Sequence, residues 1–572
     1  MRKPYIRLAL ICMVVALITA TLVIGPGLVD NFPPRGPWVG CVRDPARLPP
    51  PPDSPDGRPA NYLHTCGSRL YDQSGREVRI AGLNWAGLEG RGFAPNGLNE
   101  RNWQDILDQV AALGYNTVRL PFSSEALQPD RRVDWINFSL NPGLEGLTGL
   151  EMLDRLIAGA RDRGLKVILD RHYVAAGRLT TLWHTLDVPE ERWIADWRML
   201  AARYAGNDTV IAADLANEPH GEATWGTGSP DTDWRLAAER AGNAVLEANP
   251  YLLIFVEGIE NYRTDHWWWG GNLIGARTAP VRLHVPNRLV YSPHDYGPAI
   301  SPQAWFWDPS FPANMPAEWD RHWGYLHREN IAPIVVGEFG GHSVGADQDG
   351  QWQRSLVAYL RERKMGALIW ALDPTWDTGG VLTKDWRTVN QPKQQVYQQL
   401  LTLPLDTGAS GVFGRAPARF TLLYHQGDVD PAGDSIAFSF QIVNDSQDPA
   451  DLSRFEARYW LDCGCQPTDK QRQPTVETQG LPSQQVLVDL VPTEQGGQDH
   501  YLRVRFGPLA GLVGRYQASG TVTIRFNRAA QPGRPSSGDY SYAPQAELHQ
   551  RFGPWSRVTL YRDDQLVWGQ EP

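Results

Sequence analysis

Apolar residues in the middle of the chain fall into eight short runs, and amphipathic stretches lie between several of them. The runs are VRIAGLNW (78–85), NTVRLPF (116–122), KVILDRH (166–172), VIAADLANE (210–218), LLIFVEG (252–258), LVYSPHD (289–295), APIVVGEF (332–339) and GALIWAL (366–372). Continuous apolar runs are typical of parallel strands that are buried on both faces. Amphipathic stretches such as WQDILDQVAALG and GLEMLDRLIAGARDRG indicate the crossover helices. Eight such units over residues 61–403 predict a (β/α)8 TIM barrel.

The pattern changes after residue 403. Runs such as SIAFSFQIVN, RFEARYWLD, HYLRVRF and GTVTIRF are short and are separated by Pro, Gly and Asp turns. Helical periodicity is absent, so the sequence predicts an all-β jelly-roll or β-sandwich domain over residues 418–572. Residues 404–417 are then a linker.

The N-terminus combines positive charge with an uncharged apolar stretch. The apolar residues 8–28 are preceded by Arg2, Lys3 and Arg7, and the stretch is close in length to a membrane span. We expect residues 1–30 to be a transmembrane signal anchor or a cleaved signal peptide, and favour the anchor because no small-residue cleavage motif follows. The rest of the chain is then exported. Residues 31–60 are rich in proline and predict a stiff linker.

Composition narrows the function classes. The net charge is −10 and no basic block recurs, which argues against nucleic-acid binding. The 23 tryptophans exceed both tyrosine and phenylalanine, and indole rings can serve as platforms for sugars as well as core filler. Cys41 and Cys66 could form a disulfide outside the cell, whereas Cys463 and Cys465 are too close for an unstrained one. We expect a monomer.

Polar residues stand near the carboxyl ends of the predicted barrel strands, where barrel active sites lie. They are Asn84, Trp85, Arg119, His172, Asn217, Glu218, His294, Tyr296, Glu338 and Trp370. Glu218 and Glu338 come from opposite sides of an eight-stranded ring. Two facing carboxyl groups are what glycosidic hydrolysis requires, one protonated and one ionised. A metal site is a poorer interpretation, because HExxH is absent and we expect no tight cluster of His and Asp.

Eight motifs in order resemble glycoside hydrolase family 5, and most of all its bacterial endo-β-1,4-glucanases. They are GLNWAGLEG, YNTVRLPF, VILDRH, DLANEPHG, LLIFVEG, VYSPHDYG, VVGEFGG and DTGGVL, within residues 61–400. The resemblance implies a retaining hydrolase that acts on cellulose or related β-glucans without a cofactor. Hydrolysis of mannan, xyloglucan or mixed-linkage glucan by the same barrel stays an alternative, as does a non-catalytic glycan-binding surface protein.

The same resemblance implies the roles of individual residues. Glu218 corresponds to the acid/base and Glu338 to the nucleophile. Supporting or substrate-binding roles fall on Arg119, His172, Asn217, His294, Tyr296 and Trp370, with Trp269 of HWWWGG as a further sugar-stacking residue. Arg119 and Tyr296 can hold Glu338 ionised and aimed. Asn99 stands where these glucanases tend to carry a tryptophan platform.

The C-terminal region resembles carbohydrate-binding module family 3. In that family a tryptophan at the position of Gln531 belongs to a strip that binds crystalline cellulose, and here only Arg525 of the strip is recognisable. We therefore expect weak or no binding to crystalline cellulose. The resemblance also implies a structural calcium site, for which Asp462 and Asp539 are the remaining candidate ligands and Gly538 replaces an asparagine. Calcium needs six or more oxygen ligands.

Overall fold

The computed structural model describes residues 51–401 except 56 and 58, and then 419–427, 435–446, 448–464, 474–527 and 536–572. Its central feature is one parallel sheet near the middle of the chain. The strands are β1 (Ala81–Asn84), β2 (Thr117–Ser123), β3 (Lys166–Tyr173), β4 (Val210–Asp214), β5 (Leu253–Val256), β6 (Leu289–Tyr291 and His294–Tyr296), β7 (Val335–Gly340) and β8 (Gly366–Ile369). These strands confirm the eight predicted runs to within a few residues.

The nine strand segments form one curled sheet whose two ends belong to the same stretch of chain. Leu289–Tyr291 pairs with β5, and His294–Tyr296 pairs with β7. Only two residues separate these segments, and β8 pairs with β1 between them in the sheet order. This arrangement is consistent with a TIM barrel, as predicted.

Helices follow the strands and pack against the sheet. Those in the described part of the chain are α1 (Trp103–Ala112), α2 (Gly149–Asp162), α3 (Glu190–Arg203), α4 (Trp234–Ala248), α5 (Met315–Trp319), α6 (Tyr325–Arg328), α7 (Gln348–Arg363) and α8 (Gln391–Leu401), with a π-helical turn at Asp320–Gly324. Three start where the sequence provides a cap, among them α7, whose Asp347 side chain accepts from the Gly350 N–H. The Asn102 side chain accepts from the first turn of α1, and Thr148 forms a capping box with Glu151 on α2.

Small antiparallel elements flank the barrel. His64–Cys66, Arg69–Tyr71 and Glu77–Val78 form one three-stranded sheet, and Asn261–Tyr262 pairs with Asp265–His266. Ser54, in the predicted linker, is buried and donates to the Asp208 carboxylate at 2.6 Å. The end of that segment therefore packs on the barrel, and the division of the chain at residue 60 stays a prediction. A polar anchor of this kind leaves no signal in a proline-rich composition.

No helix among the described residues is long and apolar enough to cross a membrane. The predicted anchor at residues 8–28, most of the proline-rich linker, and the linker 404–417 lie outside the described residues.

The C-terminal region is all-β, as predicted. One antiparallel sheet contains, in order, Thr475–Gln479, Thr521–Asn527, Ser435–Asn444, Phe420–Gln426 and Gly553–Pro554. The other contains Val486–Pro492, His500–Phe506, Phe455–Leu461, Val558–Arg562 and Gln565–Trp568, and a short pair joins Ala450–Asp451 to Leu512–Val513. Both sheets contribute to one apolar core, in which the Phe438 and Tyr459 rings stack 4.5 Å apart.

The C-terminal domain contacts the barrel through Tyr516, whose side chain is almost fully buried. The Tyr516 hydroxyl accepts from Arg163 at 2.9 Å and donates to the Asp108 carboxylate at 2.5 Å. Arg515 pairs with Asp108 and Asp105 on the same helix, α1. We call these five residues the interdomain latch. Nothing in the sequence pattern predicts it, since Tyr516 belongs to a turn.

Candidate active site

Arg119 on β2 is the centre of the polar network inside the barrel mouth, and its side chain is fully buried. Its guanidinium donates to Glu338 at 2.7 Å, to Asn84 and Asp214 at 2.9 Å, to Asn217 at 3.2 Å and to Glu257 at 3.3 Å. The Asp170 carboxylate lies 3.1 Å away. Arginine suits this position because its five N–H donors form a rigid planar fork. One guanidinium thereby fixes side chains from several strands.

Glu338 lies within β7 and is held at both carboxylate oxygens. Arg119 donates to Oε1, and the Tyr296 hydroxyl donates to Oε2 at 2.7 Å. Both contacts are made with buried partners, and only 4% of the Glu338 side chain is exposed. A cation and a hydroxyl donor on the two oxygens restrict the orientation of the Glu338 carboxylate. The structure thus brings both residues expected to act on this carboxylate, Arg119 and Tyr296, into contact with it.

Glu218 lies in the loop after β4, four residues beyond the strand end at Asp214. The expectation that Glu218 ends the strand is therefore wrong by four residues. Its backbone is in the left-handed region with φ of +51°, which is uncommon for a residue other than glycine. The Glu257 carboxylate accepts from the Glu218 backbone N–H at 2.7 Å. This bond helps hold the strained backbone that turns the side chain toward the barrel mouth.

His294 on β6 joins Glu218 to Glu257. Its Nδ1 is 3.0 Å from a Glu218 carboxylate oxygen, and its Nε2 is 3.2 Å from Glu257. Glu257 follows β5 directly and therefore contacts the acid/base candidate in two ways, through its backbone amide and through its imidazole partner. Sequence reasoning missed Glu257, although it is the penultimate residue of LLIFVEG. The signal available was the one used for the other strands, a charged residue where a buried run ends.

The histidine of β3 completes the opposite wall. His172 Nδ1 lies 2.7 Å from the Asp170 carboxylate, and its ring stacks on Trp370 with centroids 5.5 Å apart and planes 7° apart. Trp370 follows β8, so β3 and β8 approach each other across the mouth. Asp170 and Asp214, both buried partners of Arg119, were also missed by sequence analysis. Each is an isolated acid inside an apolar run, which is a readable signal.

Trp269 is the exposed member of the HWWWGG motif. It is 39% exposed, whereas Trp267 and Trp268 are buried. Its ring stacks on His220 at 4.0 Å, and its indole N–H donates to Glu260 at 3.1 Å. The loop after β5 therefore presents this indole in a fixed orientation, as required of the predicted sugar-stacking residue.

Burial and charge compete around the two histidines. For His172, burial lowers the pKa, but the charge of Asp170 and its hydrogen bond outweigh burial and raise the pKa to about 9. For His294, burial again opposes protonation, and Glu257, Glu338 and Glu218 raise the pKa well above the usual value. Burial raises the pKa of Glu257 to about 8 despite the nearby His294.

Two groups of His and carboxylate side chains are close enough to suggest a metal site. They are Asp170, His172 and Glu338, and Glu218, His294 and Glu338, with ligand atoms within 4.8 Å of one another. The expectation that no tight cluster would form is therefore wrong in geometry. However, Arg119 and Tyr296 already occupy both oxygens of Glu338. A guanidinium at 2.7 Å also repels a second cation, so the donor set fits an ion-paired carboxylate better than a metal.

The candidate residues of the C-terminal domain stay less defined. Asp539 accepts from the Asp462 backbone N–H at 3.1 Å and from the Tyr459 hydroxyl at 3.5 Å. Among the described residues, the groups of three potential ligands do not include Asp462 or Asp539. Two carboxylates fall short of a calcium coordination shell, so the calcium site stays a prediction. Arg525 lies exposed on its strand, and Gln531 lies outside the described residues.

The cysteines are partly described. Cys66 and Cys463 both form disulfide bonds, while Cys41 and Cys465 lie outside the described residues. The pairing of Cys41 with Cys66 stays a prediction.

A barrel of this kind, with two facing carboxyl groups and an arginine between its strands, has the architecture of a glycoside hydrolase. Residues 71–375 match the family Cellulase (glycosyl hydrolase family 5), and residues 422–569 match the cellulose binding domain family. The chain therefore belongs to glycosyl hydrolase family 5 and carries a C-terminal family 3 module. This confirms both resemblances.

Characterised relatives are similar over the barrel. The endoglucanase of Paenibacillus polymyxa is 50% identical over 345 residues, which cover 59% of this chain and 87% of that protein. The major extracellular endoglucanase of Xanthomonas campestris is 42% identical, with 59% and 71% covered. Among solved structures, the endocellulase of Pyrococcus horikoshii in complex with cellotetraose is 38% identical and has a TM-score of 0.57. The match covers 60% of this chain and 99% of that structure.

Proposed function

We propose that the barrel is a retaining endo-β-1,4-glucanase that hydrolyses internal bonds of cellulose or related β-glucans. One observation carries the mechanism: an oxygen of Glu218 and an oxygen of Glu338 lie within 4.8 Å of each other. Retaining glycosidases hold their carboxyl groups about 5–5.5 Å apart, whereas inverting enzymes leave about 6.5–9.5 Å for a water molecule. The short separation supports double displacement.

In this proposal Glu338 is the nucleophile. Arg119 and Tyr296 keep its carboxylate aimed at the anomeric carbon. Glu218 gives its proton to the leaving oxygen as the bond to Glu338 forms, and then takes a proton from water when that bond is hydrolysed. His294, 3.0 Å from Glu218, holds the acid in position and can follow its change of charge.

The remaining site residues bind the sugar. Asn217 lies beside Glu218 and accepts from Arg119, which leaves its amide N–H donors to meet a sugar hydroxyl next to the reacting carbon. Trp370 supplies an apolar ring face, and His172 stacks behind that ring. Trp269 supplies a second ring at the β5 side of the mouth. Indole faces suit the apolar faces of pyranose rings.

The substrate class rests on the relatives. Two of them are named endoglucanases, and the related endocellulase binds cellotetraose in its crystal structure. The decisive experiment measures reducing sugar released from soluble cellulose, mannan, xyloglucan and xylan by the full chain. Release from cellulose above the other polymers supports the proposal, and release from mannan alone would contradict it.

The residue roles have their own test. Glu338→Gln keeps the shape of the side chain but removes the nucleophile, so turnover should fall by several orders of magnitude. Glu218→Gln should be most harmful on substrates whose leaving group needs a proton and least on aryl cellobiosides with activated leaving groups. Proton NMR of the first product should show retention of the anomeric configuration. Inverted product would refute the assignment.

We further propose the division of the chain into five parts. Residues 1–30 direct export, 31–60 link this segment to the barrel, 61–403 form the catalytic domain, 404–417 link it to the module, and 418–572 form a jelly-roll module. Export is supported by the extracellular relative. If residues 8–28 stay as an anchor, activity should sediment with membranes and be released by detergent. Soluble enzyme that begins near residue 30 would show cleavage instead.

A further inference from the structure

Exposed tryptophans are confined to one side of the molecule. Among the described residues, four indoles are more than one third exposed: Trp135 (65%), Trp269 (39%), Trp307 (66%) and Trp376 (90%). Each lies on a loop that follows the carboxyl end of a barrel strand, namely β2, β5, β6 and β8. Among the described residues, the most exposed indoles thus belong to loops at the face that carries the active site.

Trp135 has the most constrained backbone of these four residues. Its φ is +62°, in the left-handed region that side chains other than glycine rarely adopt. The chain around it is fixed by backbone bonds to the loop after β1, from Asp134 N–H to Gly92 at 2.8 Å and from Asn137 N–H to Leu98 at 3.1 Å. The Asp134 carboxylate also accepts from the Trp135 N–H at 2.7 Å. A strained backbone conformation that several surrounding hydrogen bonds hold in place is typical of functional sites.

The indole ring lies against the backbone of the neighbouring loop. A Cβ added at Gly92 would come within 3.0 Å of the Trp135 ring. The glycine therefore allows the ring to rest on the chain while most of its surface faces solvent. Burying a tryptophan in the core would give more stability than this exposed placement, so packing does not explain it.

A cavity of about 480 Å³ opens beside the ring, which is in the range of small-ligand sites. Asp134 and the amide-bearing Asn96, Asn99 and Asn137 contribute to its lining. An apolar ring beside amides and a carboxylate matches a pyranose, which has apolar C–H faces and a polar rim of hydroxyl groups.

The cavity shares a wall with the active site. The Asn96 side-chain amide donates to Asp373 at 2.9 Å, and the Asn96 backbone carbonyl accepts from the Trp85 indole N–H at 3.0 Å. Trp85 adjoins Asn84, which contacts Arg119. The loop after β1 therefore both lines this cavity and leads directly from the strand end that carries Asn84.

We propose that Trp135 is a stacking platform for a glucose residue of the β-glucan substrate, remote from the bond that is cleaved. This rests on the proposed endoglucanase activity and extends it, since it assigns a distal binding site to the loop after β2. The site contributes affinity for long chains and nothing to the bond-breaking step.

The test compares long and short substrates. Trp135→Ala should raise KM for cellohexaose about tenfold, because stacking removes apolar area of the ring from water. It should leave kcat and the hydrolysis of an aryl cellobioside within twofold of the wild type. Trp135→Phe should restore part of the affinity. Leu512→Ala is the matched control, because Leu512 is equally exposed (67%) but lies on the C-terminal domain.

Two outcomes overturn the platform. One is an unchanged KM for cellohexaose, and the other is an equal loss on both substrates, which would indicate a structural role. Calorimetric binding of cellohexaose to the Glu338→Gln protein, with and without Trp135→Ala, separates this proposal from catalysis. A tenfold weaker Kd supports the platform, and an unchanged Kd refutes it even if the wild type were inactive on this substrate.

Discussion

Glu257→Gln is the most informative change to the catalytic network. The Glu257 carboxylate accepts from two donors, the Glu218 backbone N–H on one oxygen and Arg119 on the other, and lies 3.2 Å from His294 Nε2. A glutamine offers one oxygen in place of two, so its NH2 group must face at least one of these donors. A buried donor left without its acceptor costs about 1–3 kcal/mol. If that cost falls on the orientation of Glu218, it corresponds to a loss of about ten- to a hundredfold in kcat/KM.

The assay is a series of aryl cellobiosides with leaving groups of increasing acidity. Because the change acts through Glu218, it should slow phenyl cellobioside by the full factor and dinitrophenyl cellobioside least, since the latter leaves without a proton. Glu329→Gln, at an exposed ion pair with Arg277, is the control and should leave both rates unchanged. An equal loss across the series would refute the reasoning and assign Glu257 to folding alone.

Three further predictions concern stability, the module and the latch. The pKa of His172 is raised from 6.5 to about 9, so its contribution to the stability of the folded state is complete below pH 6.5 and is lost as pH rises through 9. The melting temperature should therefore fall across this window, and a rise would contradict the ion pair with Asp170. The full-length Glu338→Gln protein should bind microcrystalline cellulose weakly or not at all in a pull-down, and micromolar binding would show that the strip around Arg525 is intact. Tyr516→Ala removes a buried ring and lowers the free energy of unfolding at the interdomain latch by about 3–5 kcal/mol. Calorimetry should then resolve two unfolding transitions where the wild type shows one. A single transition in the variant would show that the latch does not couple the domains.

The barrel could be predicted because its strands are buried on both faces. Such strands must be continuously apolar, and VVGEFGG or VILDRH therefore stands out against the amphipathic helices. The catalytic candidates were predictable for the same reason, since a charge such as Glu338 at the end of an apolar run needs a functional or ion-paired explanation.

Other features depend on contacts between distant segments and leave a weaker trace. Glu257 was visible as a residue type but not as a partner of Glu218, because only the folded loop turns the Glu218 amide toward it. Ser54 packs on Asp208 from within a proline-rich stretch. Tyr516 reaches Asp108 across 408 positions of chain, and no periodicity encodes such a contact.

The interdomain latch changes how the enzyme meets an insoluble surface. A module on a flexible tether raises the effective concentration of its partner domain and can engage almost any orientation of the substrate. A module whose Tyr516 is buried against α1 has less freedom of this kind, because the latch orients it relative to the barrel. In this fixed orientation, either the cleft and the module contact the same crystal face at the same time, or only one of the two can contact it. The orientation of the whole molecule then determines whether an encounter with the fibre leads to hydrolysis. The length of the linker has no effect on that outcome.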